Sequence, residues 1–305
     1  MYPPQFDYYR ASSVEEALEL LERTDESRVL AGGHSLLPEL KARRQSPEAL
    51  VDVSEIDSLR SIDVGESETV VGALTTYAAL VRSDAVWEHA GAFAEATKNV
   101  GDIQIRNRGT VGGNLAQADA AGDLPAAVVA TDATITVESP VGERSIAAED
   151  FFVGENATAL EEGELVTAIQ LPHVDGAGGA YVKKTHPASG YAMVGVAAVL
   201  GVEDGDVSHA RVASNGVTET TCRLRAVEEA LLEESLDPES PNSATLEAAA
   251  KRTEEDLESA SLVSDSHASG EFRAHLLPTY VERALESAIA RASESPAAVE
   301  GGESE

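Results

Sequence analysis

Residues 106–123 read RNRGTVGGNLAQADAAGD, a run of glycine, asparagine and other small or polar residues that closes on Asp119 and Asp123. Almost nothing in it could fill a core, so it reads as a loop whose backbone is left free to approach another group closely. Upstream, residues 31–36 read AGGHSL and follow the apolar run RVLA at 28–31. A strand, a glycine pair and a helix start, in that order, turn backbone N–H groups outward in a way that suits an anion. One glycine pair alone is an ordinary tight turn. Two of them, Gly32-Gly33 and Gly112-Gly113, each entering a helix or a polar segment, favour a bound dinucleotide with its pyrophosphate against both. Neither has the spacing GxGxxG, which argues against a Rossmann site.

Outward from these two segments the chain alternates short strands and helices. Ser13 and Glu16 form a capping box ahead of Val14, Ala17, Leu18 and Leu21, predicting a helix over 14–23. Strands are expected at 28–31, 50–53, 69–73 and 164–171, and a hairpin joins 134–138 to 143–146. Helical composition covers 36–43, the segment through Leu80, and 85–98 as one helix. Asp123 is placed to cap a short helix, with Pro125 in its first turn. The sequence GAGG at 176–179 reads as a linker. After it come three longer strands, 180–184, 192–202 and 207–214, and helices over 222–233, 244–259 and 270–292, the last kinked or offset at Pro278. The tail from Ser293 is too polar to order itself.

At 305 residues the chain has room for two or three domains, each with its own core. Its 54 acidic and 22 basic residues give a net charge of −32, a field that repels nucleic acid and anionic lipid. An acidic coat with lysine only at 41, 98, 183, 184 and 251 fits a salt-rich cytosol and hence a halophilic source. No apolar run is long enough for membrane insertion, and the N-terminus MYPPQFDYYR has no apolar signal segment, so a cytoplasmic location is expected. Cys222 is the single cysteine, which leaves no internal disulfide and no cysteine set for an iron–sulfur cluster.

Several segments in register resemble one family. AGGHSLLPELKAR at 31–43, GALTT at 72–76, IRNRGTVGGNLAQADAAGDLPAAVVA at 105–130, GELV at 163–166, YVKK at 181–184 and YAMVGVAA at 191–198 are similar to the FAD-binding medium subunit of the molybdenum hydroxylases. That is the xanthine dehydrogenase and carbon-monoxide dehydrogenase family, and the likeness is nearest the carbon-monoxide dehydrogenase medium chain. The resemblance implies an α+β fold. Two FAD-binding subdomains of the PCMH or vanillyl-alcohol-oxidase type, 1–58 and 59–175, are followed by an antiparallel sheet with helices on one side, 176–292, and a disordered acidic tail, 293–305.

The resemblance also implies the site. The backbone of Ala31, Gly32, Gly33, His34, Ser35 and Leu36, and of Thr110, Val111, Gly112, Gly113 and Asn114, would hold the pyrophosphate of FAD, with Ala73 and Thr75 joining from the third segment. Asp123 would bind ribose or ribityl hydroxyls, although a helix cap fits its position equally. Leu165 would reach the cofactor through its backbone, where a strand leucine is ordinarily core. Lys183 would approach the polar edge of the isoalloxazine, against the plain alternative of an exposed strand lysine. Tyr191 would stand near the ring and gate access to N5. His34 and Ser35 are read as loop variants of the family's Thr and Asp. No catalytic residue and no metal ligand is predicted: His186, His209, His267 and His275 are scattered and read as surface residues.

By the same resemblance the chain is one part of a complex. A large molybdopterin subunit would oxidise substrate, a small [2Fe–2S] subunit would relay electrons, and this chain's FAD would pass them on, with the whole a dimer of heterotrimers. Two other readings compete: a stand-alone FAD oxidoreductase of the vanillyl-alcohol-oxidase or MurB type, and a nucleotide-binding protein with no redox role.

Overall fold

The computed structural model describes residues 2–232, 234–236, 243–257, 260–266 and 268–293. The tail beyond Ser293 and His267 lie outside the described residues. The chain opens with β1 (Asp7–Arg10), α1 (Val14–Arg23), β2 (Ser27–Leu30), α2 (Leu36–Ala42) and β3 (Ala49–Asp52). The three strands form a parallel sheet in the order β1-β3-β2. All four residues of β3 are buried, as the central strand of a parallel sheet requires. The Ser13 hydroxyl accepts from the Glu16 N–H at 3.2 Å, and the Glu16 carboxylate accepts in return from the N–H of Ser12, one residue before the expected partner. Val14, Ala17 and Leu18 pack with Val51, Val53, Ile56, Leu59, Leu74 and Leu165 in one core.

The middle of the chain runs β4 (Ile62–Val64), β5 (Glu68–Gly72), α3 (Tyr77–Val81), α4 (Asp84–His89), α5 (Gly91–Asn99), α6 (Ile103–Arg106), α7 (Val111–Gln117), α8 (Asp123–Ala130), β6 (Thr134–Ser139), β7 (Gly142–Ala147), α9 (Ala148–Phe151), β8 (Phe152–Gly154), β9 (Ala157–Thr158) and β10 (Leu165–Pro172). Its main sheet is antiparallel in the order β4-β5-β10-β6-β7, and β8 and β9 make a small ribbon. The helix expected over 85–98 is two helices. Ala90 breaks it at φ −139°, ψ 52°, donating back to Val86 while its own carbonyl starts α5. Gly91, a poor helix former, opens α5 at that bend, 3.1 Å (from an added Cβ) from the Gly179 carbonyl.

The remainder comprises β11 (Ala177–Thr185), β12 (Ala192–Glu203), β13 (Asp206–Asn215), β14 (Cys222–Arg223), α10 (Arg225–Leu232), α11 (Ser243–Lys251), α12 (Thr253–Leu257) and α13 (Gly270–Ser293). The strands form an antiparallel sheet in that order. Val194, Val196, Ala198 and Leu200 of β12 face a core shared with α10, α11 and α13. On the opposite face Tyr181, Ala197 and Ala213 join the core of the middle region, against α5 and α8. The sheet's own helices therefore lie on one side, and its other side is covered by helices from earlier in the chain.

The expected linker at 176–179 is largely strand. Only Gly176 adopts a turn conformation, with φ 67°. Gly178 and Gly179 lie inside β11, where a Cβ would run into the Ala288 carbonyl of α13 and, at 2.7 Å, the Ala92 nitrogen of α5. They let two helices close on the strand from its two sides. The expected helix over 222–233 begins as β14, the one over 244–259 divides at Arg252, and α13 continues through Pro278.

Candidate functional site

The glycine-rich segment is not a loop throughout. Residues 111–117 form α7, and Val111 and Leu115 are buried, so two apolar residues four apart are enough to seat this short helix. Its position is fixed by the third segment. The Val111 N–H donates to the Thr75 carbonyl at 3.1 Å, the Gly112 N–H to the Ala73 carbonyl at 2.8 Å, and Thr76 bridges Thr110. A Cβ on Gly112 would stand 2.5 Å from the Ala73 Cβ. Thr75 is itself buried, and its hydroxyl donates to the Ser61 carbonyl, so it serves the scaffold.

The first glycine segment meets the second directly. A Cβ on Gly32 would collide with the Arg108 carbonyl, and one on Gly113 would lie 3.7 Å from the Ala31 Cβ. Gly33 has φ 75°, the left-handed region that turns the chain from β2 into α2. Leu36 is the first residue of α2, Ser35 makes no side-chain capping bond, and His34 is exposed. The structure thus brings Ala31, Gly32, Ala73, Thr75 and Thr110 to Asn114 into one place.

Two polar atoms there lack a protein partner although buried: Thr110 Oγ1 and Asn114 Oδ1. Leaving such an atom unpaired costs about 1–3 kcal/mol, and these two lie where the glycine segments meet. The donor set fits a dinucleotide cofactor. A hydroxyl can donate to a phosphate, an amide oxygen can accept from a sugar hydroxyl, and glycine backbone admits the chain of phosphates closely. Sequence reading missed Tyr77. Its ring fills the space over Gly109, and its hydroxyl lies against the Asn114 amide, which orients that side chain. Burial pushes the Tyr77 phenol well up, so it stays protonated. A buried tyrosine on a short helix looks like any core aromatic in sequence.

A second group of side chains lies behind the α7–α8 segment. Asp123 does not cap α8: Gly122 is the N-cap, and Asp123 is the first helical residue. Only 6% exposed, its carboxylate accepts from the Tyr181 hydroxyl at 2.6 Å and from Lys183 Nζ at 2.8 Å. Burial raises the Asp123 pKa despite the neighbouring ammonium, and burial followed by the Asp123 charge raises that of Tyr181. Lys183 is no exposed strand lysine, since its side chain is 6% accessible. Tyr191 is 46% exposed, and burial of its ring and the carboxylates of Asp119, Asp123 and Glu39 raise its phenol pKa. The Leu165 side chain is core, packed in the cluster that Ala31 borders.

His186 is a correction as well: it is 7% exposed, and its Nδ1 accepts from the N–H groups of Ala188 at 3.2 Å and Ser189 at 3.1 Å. His209 is half-buried with a pKa lowered by burial, and His275 is exposed. Among the described residues no group of three or more His, Cys, Asp or Glu side chains could hold a metal ion, and no helix is long and apolar enough to cross a membrane. A cleft lined by His89, Gly91, Gly179, His209 and Arg291 contains none of the site residues above.

Glycine backbone from two segments, closed by a third and edged by two unpartnered polar atoms, suits a dinucleotide cofactor, in a fold of mixed helix and sheet. Residues 4–174 match the FAD binding domain in molybdopterin dehydrogenase, and residues 180–288 the CO dehydrogenase flavoprotein C-terminal domain. The chain belongs to the FAD-binding medium subunits of the molybdenum hydroxylases, a family of oxidoreductases whose cofactor in this subunit is FAD. It is 38% identical over 237 residues to the glyceraldehyde dehydrogenase medium chain of Sulfolobus acidocaldarius, covering 78% of this chain and 84% of that one. To the carbon monoxide dehydrogenase medium chain of Hydrogenophaga pseudoflava it is 36% identical over 293 residues, 95% of this chain and 99% of that one. The solved carbon monoxide dehydrogenase of the same organism superposes with a TM-score of 0.88 at 37% identity, over 95% of this chain and 99% of that one.

Proposed function

We propose that this chain is the electron-output subunit of a molybdenum hydroxylase of the carbon-monoxide dehydrogenase type. In that role it receives electrons from the [2Fe–2S] clusters of a small subunit and delivers them to an external acceptor. A large molybdopterin subunit oxidises the substrate, and the complex is a dimer of heterotrimers in the cytoplasm of a salt-adapted cell. The observation that carries the reading is the meeting of Gly32 with Arg108 and of Gly113 with Ala31, beside the unpartnered Thr110 Oγ1 and Asn114 Oδ1.

In this reading residues 1–58 and 59–175 are the two cofactor-binding subdomains, and 176–292 closes the site from the side of Lys183 and Tyr191. FAD, when bound, supplies the exchange between paired and single electrons that no side chain here can perform. The chain's own residues bind and orient. Backbone N–H groups of Gly32 to Leu36, with those of Thr110 and Gly113, would receive the pyrophosphate, the Val111, Gly112 and Asn114 amides being spent on the Thr75, Ala73 and Thr110 carbonyls. The Thr110 hydroxyl would donate, the Asn114 amide oxygen accept, and the backbone of Leu165 border the cofactor. Tyr77 stays neutral and holds Asn114 in place. Asp123 stands behind the site, and Tyr191 limits solvent at its mouth.

The two relatives, named for glyceraldehyde and for carbon monoxide, share similar identity with this chain. That similarity does not separate one substrate from the other, and in this reading the large subunit sets the substrate. Native purification through this chain is expected to bring down a larger and a smaller partner together with bound flavin. A chain that purified alone with flavin and reduced an acceptor by itself would instead establish the stand-alone oxidoreductase.

A further inference from the structure

Lys183 projects from β11, and its ammonium has three acceptors, one for each N–H. These are Asp123 Oδ2 at 2.8 Å, the Asn99 carbonyl at 3.0 Å and the Gly190 carbonyl at 3.0 Å. The three come from different places: the first residue of α8, the last residue of α5, and the turn that precedes Tyr191. The Asp123 carboxylate is fixed in turn by Tyr181 on its other oxygen at 2.6 Å. An ammonium is a compact charge with three rotatable donors, well suited to joining three acceptors at one point. All three donors are engaged within the protein.

The turn itself closes on His186. The His186 N–H donates to the Tyr191 carbonyl at 2.8 Å, the Gly190 N–H to the His186 carbonyl at 3.0 Å, and the imidazole accepts the next two amides. Gly190 has φ 78°, a conformation in which a glycine carbonyl can turn down toward β11. From the contacts given above, the Lys183–Gly190 bond is the charge-assisted tie between this turn and the body beneath it.

We propose that Lys183 is a positioning residue: it pins the 186–191 turn to α5 and α8 and so sets where Tyr191 stands over the cofactor site. The inference rests on the proposed reading of Tyr191 at the mouth of a flavin site. Asp123 serves it as the counter-charge that makes a buried ammonium tolerable there.

Hydrogen exchange of the full-length chain without cofactor tests the clamp directly. Lys183→Met should speed exchange of the amides of 186–191 about tenfold, the loss of one charge-assisted hydrogen bond, and leave β12 unchanged. Asp123→Asn should leave the turn protected, because Lys183 keeps both carbonyls. The double variant Asp123→Asn/Lys183→Met removes the stranded carboxylate as well, so it keeps the test open if burial of that charge unfolds Lys183→Met, and it should again free the turn. Equal exchange of 186–191 in wild type and in the variants lacking Lys183 would overturn the proposal, leaving His186 as what holds the turn. In the FAD-loaded chain, quenching of flavin fluorescence by acrylamide should rise several-fold in the same variants. Faster exchange with unchanged quenching would overturn the link between the turn and cofactor access. A wild-type chain that took up no FAD would count against the proposed function, while the exchange result would still decide the clamp.

Discussion

Gly32 shows how one hydrogen atom in place of a methyl group decides whether the site exists. Its missing Cβ is the space that the Arg108 carbonyl occupies, so Gly32→Ala must push the two glycine segments apart. The expected result is loss of FAD uptake with a stability cost of about 1–3 kcal/mol, read by flavin absorbance and by thermal unfolding. The value of the glycine pairs was legible in the sequence because two of them needed one explanation. The role of Asp123 was not. Its partners Tyr181 and Lys183 lie 58 and 60 residues further on, and nothing local distinguishes a carboxylate that caps its helix from one turned to a distant strand. Glu164 offers a pH test at the same scale. The Arg144 guanidinium, bonding both carboxylate oxygens at 2.6 and 2.8 Å, holds it below its ordinary value of 4.5. A depressed carboxylate contributes stability that is present above the unfolded value and is lost as pH falls through the folded one. Because Arg144 is 41% exposed, the contribution is about 1 kcal/mol after solvent screening. Glu164→Gln should therefore cost that much at neutral pH and flatten the acid limb of stability below about pH 4.5, measured by denaturant melts across pH.

At the level of elements, glycine carried opposite meanings in different places, and composition alone did not separate them. The segment 111–117 looked like a loop because it holds two glycines and an asparagine. Val111 and Leu115 nevertheless seat it as a helix once the Ala73 and Thr75 carbonyls take its first amides. The GAGG segment looked like a linker, yet Gly178 and Gly179 are the places where α13 and α5 touch β11. Where a local rule was complete, the reading held: the capping residues and apolar spacing at 13–23 gave the boundaries of α1. Close helix–strand packing of this kind gives a direct prediction. Gly178→Ala drives a methyl group into the Ala288 carbonyl and should lower stability by about 2 kcal/mol, because backbone on both sides cannot yield as a side-chain tip would. Gly176→Ala, at a turn with open space around it, should cost only the strain of its positive φ. Comparing the two melting temperatures separates packing from turn conformation.

Over the whole molecule the order of segments fixed the family more firmly than any one motif, and the match over residues 4–174 and 180–288 spans nearly all of the described chain. The net charge of −32 belongs to this scale too. Self-repulsion of that size destabilises a compact state and is relieved by salt within a screening length of about 10 Å at 0.1 M. Thermal stability is expected to rise steeply with potassium chloride, and a melting temperature independent of salt would remove the case for a salt-adapted source. The central claim, that two glycine segments meet to grip FAD, has one direct measurement: titration of FAD into the purified full-length chain and into Gly32→Ala, both checked for folding by circular dichroism. The account predicts stoichiometric uptake with a flavin spectrum by the wild-type chain and loss of that uptake in the folded variant. No uptake by the wild type, or equal uptake by both, would contradict it.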